Sequence, residues 1–191
     1  MSRRLLPLLA LGAPFWAQAS TMPAFCVKAA GTVEQAICAD PKLVAIDRQL
    51  DQVYTEALAK ADAAQRKALL MQQKGWWRGV RDCWKAQDMH ACIAEAYVLR
   101  RVELQATYHL VRLRGTFSFT CDDGSTVKVT HFKTDPPSLI AARGGEQSLM
   151  LSQPSGSGAR YAGRNEQFWE HQGSATVVWG HGTPELHCKR T

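Results

Sequence analysis

From Leu43 onward, apolar residues recur at three- and four-residue spacing. Leu43, Ile46, Leu50, Val53, Tyr54, Ala57 and Leu58 mark one face of an amphipathic helix. Thr32 or Asp40 can cap a helix start, and Pro41 suits a first helical position. The pattern predicts a second helical run from about Ala64 to Trp84 and a third from about Ala91 to Arg112. Strand-like alternation is missing from this stretch, and Gly and Pro are scarce. The first half therefore reads as a small helical bundle.

Near Gly115 the period drops to two. Residues Thr116 to Cys121 alternate, Asp122-Asp123-Gly124-Ser125 makes a turn, and Thr126 to Thr130 alternate again. Short strands also fit Ser138–Ala142, Gln147–Leu151, Arg160–Ala162, Gln167–His171, Ala175–Trp179 and Glu185–Cys188. Gly, Pro and Asn punctuate the gaps, as expected for an antiparallel sandwich or barrel. The fold class is thus α+β in two parts, with residues 20–114 helical and residues 115–191 all-β.

The six cysteines, Cys26, Cys38, Cys83, Cys92, Cys121 and Cys188, refine this picture. With no C-x-x-C or H-x-x-x-H pair, they read as three disulfides and not as a metal site. Cys38, Cys83 and Cys92 fall near helix ends that meet at one end of an up-down bundle, with Cys26 on the chain leading in. Three pairings of these four remain open. A Cys121–Cys188 bridge would tie the first strand to the last, and closing so long a loop is worth about 4 kcal/mol in the chain-entropy model.

Disulfides require an oxidising compartment, and the N-terminus agrees. Ser2-Arg3-Arg4 is a basic n-region, Leu5 to Trp16 is apolar, and Ala17-Gln18-Ala19 supplies a cleavage site after Ala19. The apolar run is shorter than the roughly 20 residues of a spanning helix. Phe25 directly before Cys26 argues against lipid attachment at that cysteine. The expected product is periplasmic or secreted, without a membrane anchor.

Net charge is +6, of which Arg3 and Arg4 belong to the signal. Residues 20–114 carry 14 basic and 10 acidic side chains, and residues 115–191 carry 7 of each. A surface that tracks phosphates would be more lopsided, so nucleic acid is excluded as a partner.

Catalytic patterns are absent. Ser155-Gly156-Ser157-Gly158 lacks the G-x-S-x-G frame of a nucleophile turn, and it also lacks the βαβ context of a dinucleotide loop. Glu34 and Asp82 read as solvated or capping carboxylates. No cofactor or metal is expected. Pro154 to Gly158 is instead a small-residue loop flanked by strands, suited either to a plain hairpin turn or to entering a narrow cleft.

Residues 116–189 resemble the MliC/PliC family, periplasmic and membrane-bound inhibitors of c-type lysozyme. The resemblance rests on Phe119-x-Cys121-Asp122-x-Gly124, Ser157-Gly158-Ala159-Arg160-Tyr161, Phe168-Trp169, Ala175-Thr176-Val177 and Cys188. It implies an eight-stranded antiparallel β-barrel whose Ser-Gly loop enters the lysozyme cleft and engages its two catalytic carboxylates. Carried over, Ser157 meets a carboxylate, Gly158 permits close approach and Tyr161 braces the loop. Ser155, Arg160 and His171 complete the expected lysozyme contacts. Inhibition would be competitive and noncovalent.

His171 departs from the family, which typically has lysine there. A lysine keeps its charge at neutral pH, whereas an imidazole loses it, so the resemblance implies weaker inhibition at alkaline pH than a lysine would give. The implied owner is a Gram-negative bacterium protecting its peptidoglycan from host lysozyme. A module for a different glycosidase or cell-envelope ligand, or a scaffold acting through its helices, are the competing readings.

The helical half resembles the LprI-like cysteine-containing domain through Cys26, Glu34-Gln35-x-Ile37-Cys38, Leu43, Asp47, Leu50, Tyr54, Gln73-x-x-Trp76, Asp82-Cys83-Trp84, Cys92, Tyr97 and Arg100. That family often has arginine four residues after the tryptophan, where this chain has Val80 followed by Arg81. Trp76, Trp77, Trp84 and Tyr97 are expected to be helix-packing core, and no binding site is assigned to this half.

Overall fold

A computed structural model describes residues 22–191, so the signal segment and its cleavage site lie outside the described residues. A 3-10 turn, Ala24–Lys28, leads into α1 (Thr32–Ala39), α2 (Pro41–Lys60), α3 (Ala63–Arg81), a second 3-10 turn (Asp82–Lys85) and α4 (Met89–Thr107). Aspartates open three of the four helices. Asp40 accepts from Lys42 N ahead of Pro41, Asp62 and Gln65 form a reciprocal capping box, and Asp88 accepts from Ala91 N.

Residue Asp40 also explains why α1 is separate from α2. It is extended (φ −107°, ψ 111°), the conformation a residue before proline prefers, and it breaks the helix between Ala39 and Pro41. At the other end, α4 stops at Thr107, short of the expected Arg112. His109 takes φ 49°, which no helix continues through.

Val33, Ile37, Leu50, Leu69, Ile93 and Tyr97 form the helical core. The bridges Cys26–Cys38 and Cys83–Cys92 resolve the open pairing. Each is local. One ties the leading 3-10 turn to the end of α1, and the other closes the turn between α3 and α4.

Two expectations for this half are corrected. Trp84 is 61% exposed, because the α-helix ends at Arg81 and the disulfide-closed 3-10 turn that follows points the side chain outward. Glu34 is buried and not solvated, and it accepts from Arg81 Nε at 2.7 Å. Asp82 is exposed and pairs with Lys85.

Eight antiparallel strands then close a barrel in chain order: β1 (Leu113–Cys121), β2 (Thr126–Phe132), β3 (Ser138–Arg143), β4 (Glu146–Gln153), β5 (Ala159–Ala162), β6 (Glu166–His171), β7 (Ser174–Trp179) and β8 (Leu186–Arg190). Closure removes both sheet edges. Alternate residues fill the interior, among them Phe119, Val129, Leu139, Met150, Phe168 and Val177. Phe119 and Phe168 meet edge to face with centroids 5.3 Å apart. Cys121 and Cys188 face each other across β1 and β8 and are bridged, so the seam is covalent.

Arg101 of α4 connects the helices to the barrel. Its guanidinium donates to Gln49 Oε1 at 2.6 Å and to Asp135 O at 2.7 Å. The His109 ring lies 5.7 Å from that of Phe132. Among the described residues, no helix is long and apolar enough to cross a membrane.

Candidate functional site

The loop between β4 and β5 holds Ser155, Gly156, Ser157 and Gly158, all exposed. Its backbone is fixed by hydrogen bonds to one atom. The Ser157 carbonyl accepts from Ser155 Oγ at 2.6 Å and from Trp169 Nε1 at 2.9 Å. The Ser157 hydroxyl, by contrast, has no partner among the described residues. Gly158 sits at φ 66°, and a Cβ there would collide with the Glu170 carbonyl oxygen and lie 3.1 Å from His171 Cβ. Only glycine lets the loop lie this close to β6.

Register places the neighbours. Side chains of β6, β7 and β8 alternate between the barrel interior and its outer face. Outward residues form two cross-strand rows, His171–Ser174–Lys189 and Trp169–Thr176–His187. Together with Ser157 they line a shallow hollow of about 470 Å³. No acidic residue lines it, and Lys189 has no ion-pair partner among the described residues. The face beside the free hydroxyl is therefore cationic, with small Ser174 and Thr176 along its centre.

The six expected contact residues divide by position. Ser157 and His171 are brought together in the hollow. Gly158 lies against the backbone of β6, and the Ser155 hydroxyl is engaged in holding the loop. Arg160 is exposed beside them, pairs in register with Trp169 and donates to Gln167 Oε1 at 2.8 Å. Tyr161 is buried in the barrel interior against His131 and offers no surface. Trp169 and Lys189 also line the hollow, although the sequence pattern gives neither a contact role: Trp169 belongs to the Phe-Trp motif and Lys189 to none. Only the strand register reveals both.

Beneath the loop, the barrel mouth holds a polar cluster. His131 is buried, its ring 5.4 Å from Tyr161 and 5.8 Å from Phe117, and its Nε2 has no partner among the described residues. Burial pushes its pKa down; Glu170 opposes that shift, while Arg114 and Arg190 reinforce it. Burial likewise pushes the Tyr161 hydroxyl up. Arg190 stacks over Phe117 at 3.7 Å and reaches Glu170 at 4.0 Å. Glu170 thereby joins this cluster to the strand against which Gly158 rests.

Comparison with known proteins places the sequence. Residues 119–186 fit a family described as membrane-bound lysozyme-inhibitor of c-type lysozyme, MliC. The lipoproteins LprI of Mycobacterium bovis and Mycobacterium tuberculosis are each 32% identical over 155 residues, covering 80% of this chain and 77% of the relative. The chain belongs to the LprI family. No solved structure matches it.

The helical half of this LprI-family protein has its own features. Arg81 lies four residues after Trp77 and stands over that ring at 5.7 Å while pairing with Glu34. The arginine thus serves Trp77, one position on from the expected tryptophan, and Val80 is buried in the core. Tyr97 is buried as expected, whereas Trp76 and Trp77 are only half-buried and line an open hollow.

Proposed function

We propose that this protein inhibits c-type lysozyme by placing the β4–β5 loop in the enzyme's active-site cleft. The carrying observation is the asymmetry at Ser157, whose carbonyl is held twice while its hydroxyl is left free and exposed. A hydroxyl can donate to a carboxylate and accept from a carboxylic acid, so it suits either catalytic group of a retaining glycosidase. A loop rigid before binding loses little entropy on insertion. Gly158 keeps the loop close to β6, Lys189 supplies positive charge toward an anionic cleft, and His171 offers an imidazole N–H beside it. Ser155, Trp169 and Tyr161 act as supports, and Arg160 lies at the rim. Membership of the LprI family and the match to the MliC family support this reading.

The protein then works as a binding partner and not as an enzyme, and blocking is competitive and noncovalent. The unit that does this is residues 115–191, with residues 20–114 as a second domain. Three formed disulfides support an oxidising location outside the cytoplasm. The relatives are named lipoproteins. In this chain the Cys26 sulfur is bonded to Cys38, so an acyl chain at that sulfur is incompatible with the fold.

The test is lysis of a peptidoglycan suspension by a c-type lysozyme, titrated with the mature chain and with Ser157→Ala. Inhibition by the parent, weakened at least about tenfold in the variant, is expected from losing a hydrogen bond to a charged group. Equal inhibition by both would remove Ser157 from the mechanism.

A further inference from the structure

The hollow on the helical half measures about 1120 Å³ and is separate from the Ser157 surface. Aromatic rings run along it. Phe25 lies 5.7 Å from Trp77, Trp77 lies 6.0 Å from Trp76, and Trp76 meets Tyr97 edge-on at 4.9 Å. Between the rings stand two polar groups, Asp47 and Gln73, each held from behind by a buried residue. Tyr97, 2% exposed, donates its hydroxyl to Asp47 Oδ1 at 2.9 Å. Arg100, 3% exposed, donates Nε to Gln73 Oε1 at 3.0 Å.

Core packing requires neither of these bonds. Burying a guanidinium is costly: Arg100 Nη1 pairs with the half-exposed Glu103 at 2.8 Å, yet its Nη2 is left without a partner among the described residues. An apolar residue at position 100 would pack the bundle at lower cost. What Arg100 and Tyr97 achieve is to fix the orientation of two groups that face an open hollow, as a preformed site requires. Gln73 has its carbonyl engaged and its amide hydrogens free to donate. Asp47 keeps a second carboxyl oxygen to accept.

The lining also indicates the class of ligand. Asp47 and Asp51 are matched by Arg48 and Lys74, so the hollow carries no net charge. Flat aromatic faces interleaved with fixed donors and acceptors suit a neutral molecule that alternates apolar C–H faces with hydroxyls. The volume, just above the usual range of small-molecule sites, suits several sugar rings better than one. We propose that the helical half of this protein binds an oligosaccharide in the hollow between α2 and α3, with Asp47 and Gln73 as its hydrogen-bonding residues and Trp76 and Trp77 as its stacking faces.

The experiment is a nitrogen-15 NMR titration of the full mature chain with chitotriose and, separately, maltotriose, following the tryptophan indole N–H signals. Saturable shifts at Trp76 and Trp77 are expected with at least one sugar, while Trp179 in the barrel stays unmoved. Asp47→Asn, which leaves Tyr97 an acceptor, and Gln73→Ala should each weaken binding by about tenfold, the loss of roughly one hydrogen bond. An unmoved Trp84 indole signal in each variant reports that the helical half, where both substitutions lie, is intact. The proposal is overturned if neither sugar gives saturable shifts, or if Asp47→Asn binds as tightly as the parent. It is also overturned if a lysine-rich peptide saturates the site and the sugars do not, since the groove would then serve a cationic partner.

Discussion

The indole nitrogen of Trp169 donates to the carbonyl of Ser157 at 2.9 Å. One strand, β6, thereby holds the loop that precedes β5, and the Ser157 hydroxyl is presented from a fixed backbone. Replacing Trp169 with phenylalanine keeps an aromatic ring and deletes the donor. Inhibition of lysozyme should weaken about fivefold, equivalent to roughly 1 kcal/mol, with little change in thermal midpoint. Inhibition constants and melting curves for Trp169→Phe check this, and unchanged inhibition would mean the loop is held without the indole.

Gly158 makes a sharper case. Alanine there must adopt φ 66° and meet the Glu170 carbonyl oxygen. Gly158→Ala should lose about 1–3 kcal/mol of stability and move the loop. Gly156→Ala, two residues away, has nothing within 4 Å of its new Cβ and should fall within about 0.5 kcal/mol of the parent. Urea unfolding of the two variants side by side distinguishes a specific close approach from general loop sensitivity.

Charge on the outer face gives a third prediction. Lys189→Ala should weaken inhibition and flatten its dependence on salt, because the cation lies in the same row as His171 and has no partner among the described residues. His171→Lys puts a second lysine in that row, across Ser174 from Lys189, and should tighten inhibition and steepen its dependence on salt. Unchanged inhibition and salt dependence would exclude position 171 from the contact with the ionised carboxylate.

A fourth prediction concerns stability and pH. Burial lowers the His131 pKa below the ordinary value of 6.5, so the unfolded chain takes up its proton first as pH falls. The contribution of His131 is fully present above about pH 6.5 and is lost as pH drops below that value toward the folded pKa. The urea midpoint should decline between pH 7 and pH 5, and the decline should be shallower in His131→Gln. Equal slopes would place the titrating group elsewhere.

Much of this architecture is legible in the residues themselves. The alternation around Phe117, Phe119 and Cys121 locates β1, and the 3.6-residue spacing from Leu43 to Ala57 locates α2. What escapes the pattern has identifiable causes. The break at Asp40 depends on a local extended conformation, so Thr32–Ala39 does not announce itself as a separate helix. Trp84 continues a helical spacing, yet a 3-10 turn closed by Cys83–Cys92 turns it outward. Period two tells which face Trp169 and Lys189 occupy, but which residues stand beside them is set by pairing across three strands. The hollow of the helical half was hidden for a related reason. Tyr97 reads as a packing residue and Arg100 only as a motif position until their partners, Asp47 and Gln73, are seen to face open space.

The central claim is that the Ser157 loop occupies the lysozyme cleft, and steady-state kinetics test it most directly. Initial rates of a c-type lysozyme are measured on a soluble substrate at several concentrations of the mature chain. Occupation of the cleft predicts an apparent KM that rises in proportion to inhibitor with kcat unchanged. A falling kcat at constant KM would place the contact outside the cleft, and full activity at every concentration would contradict the account altogether.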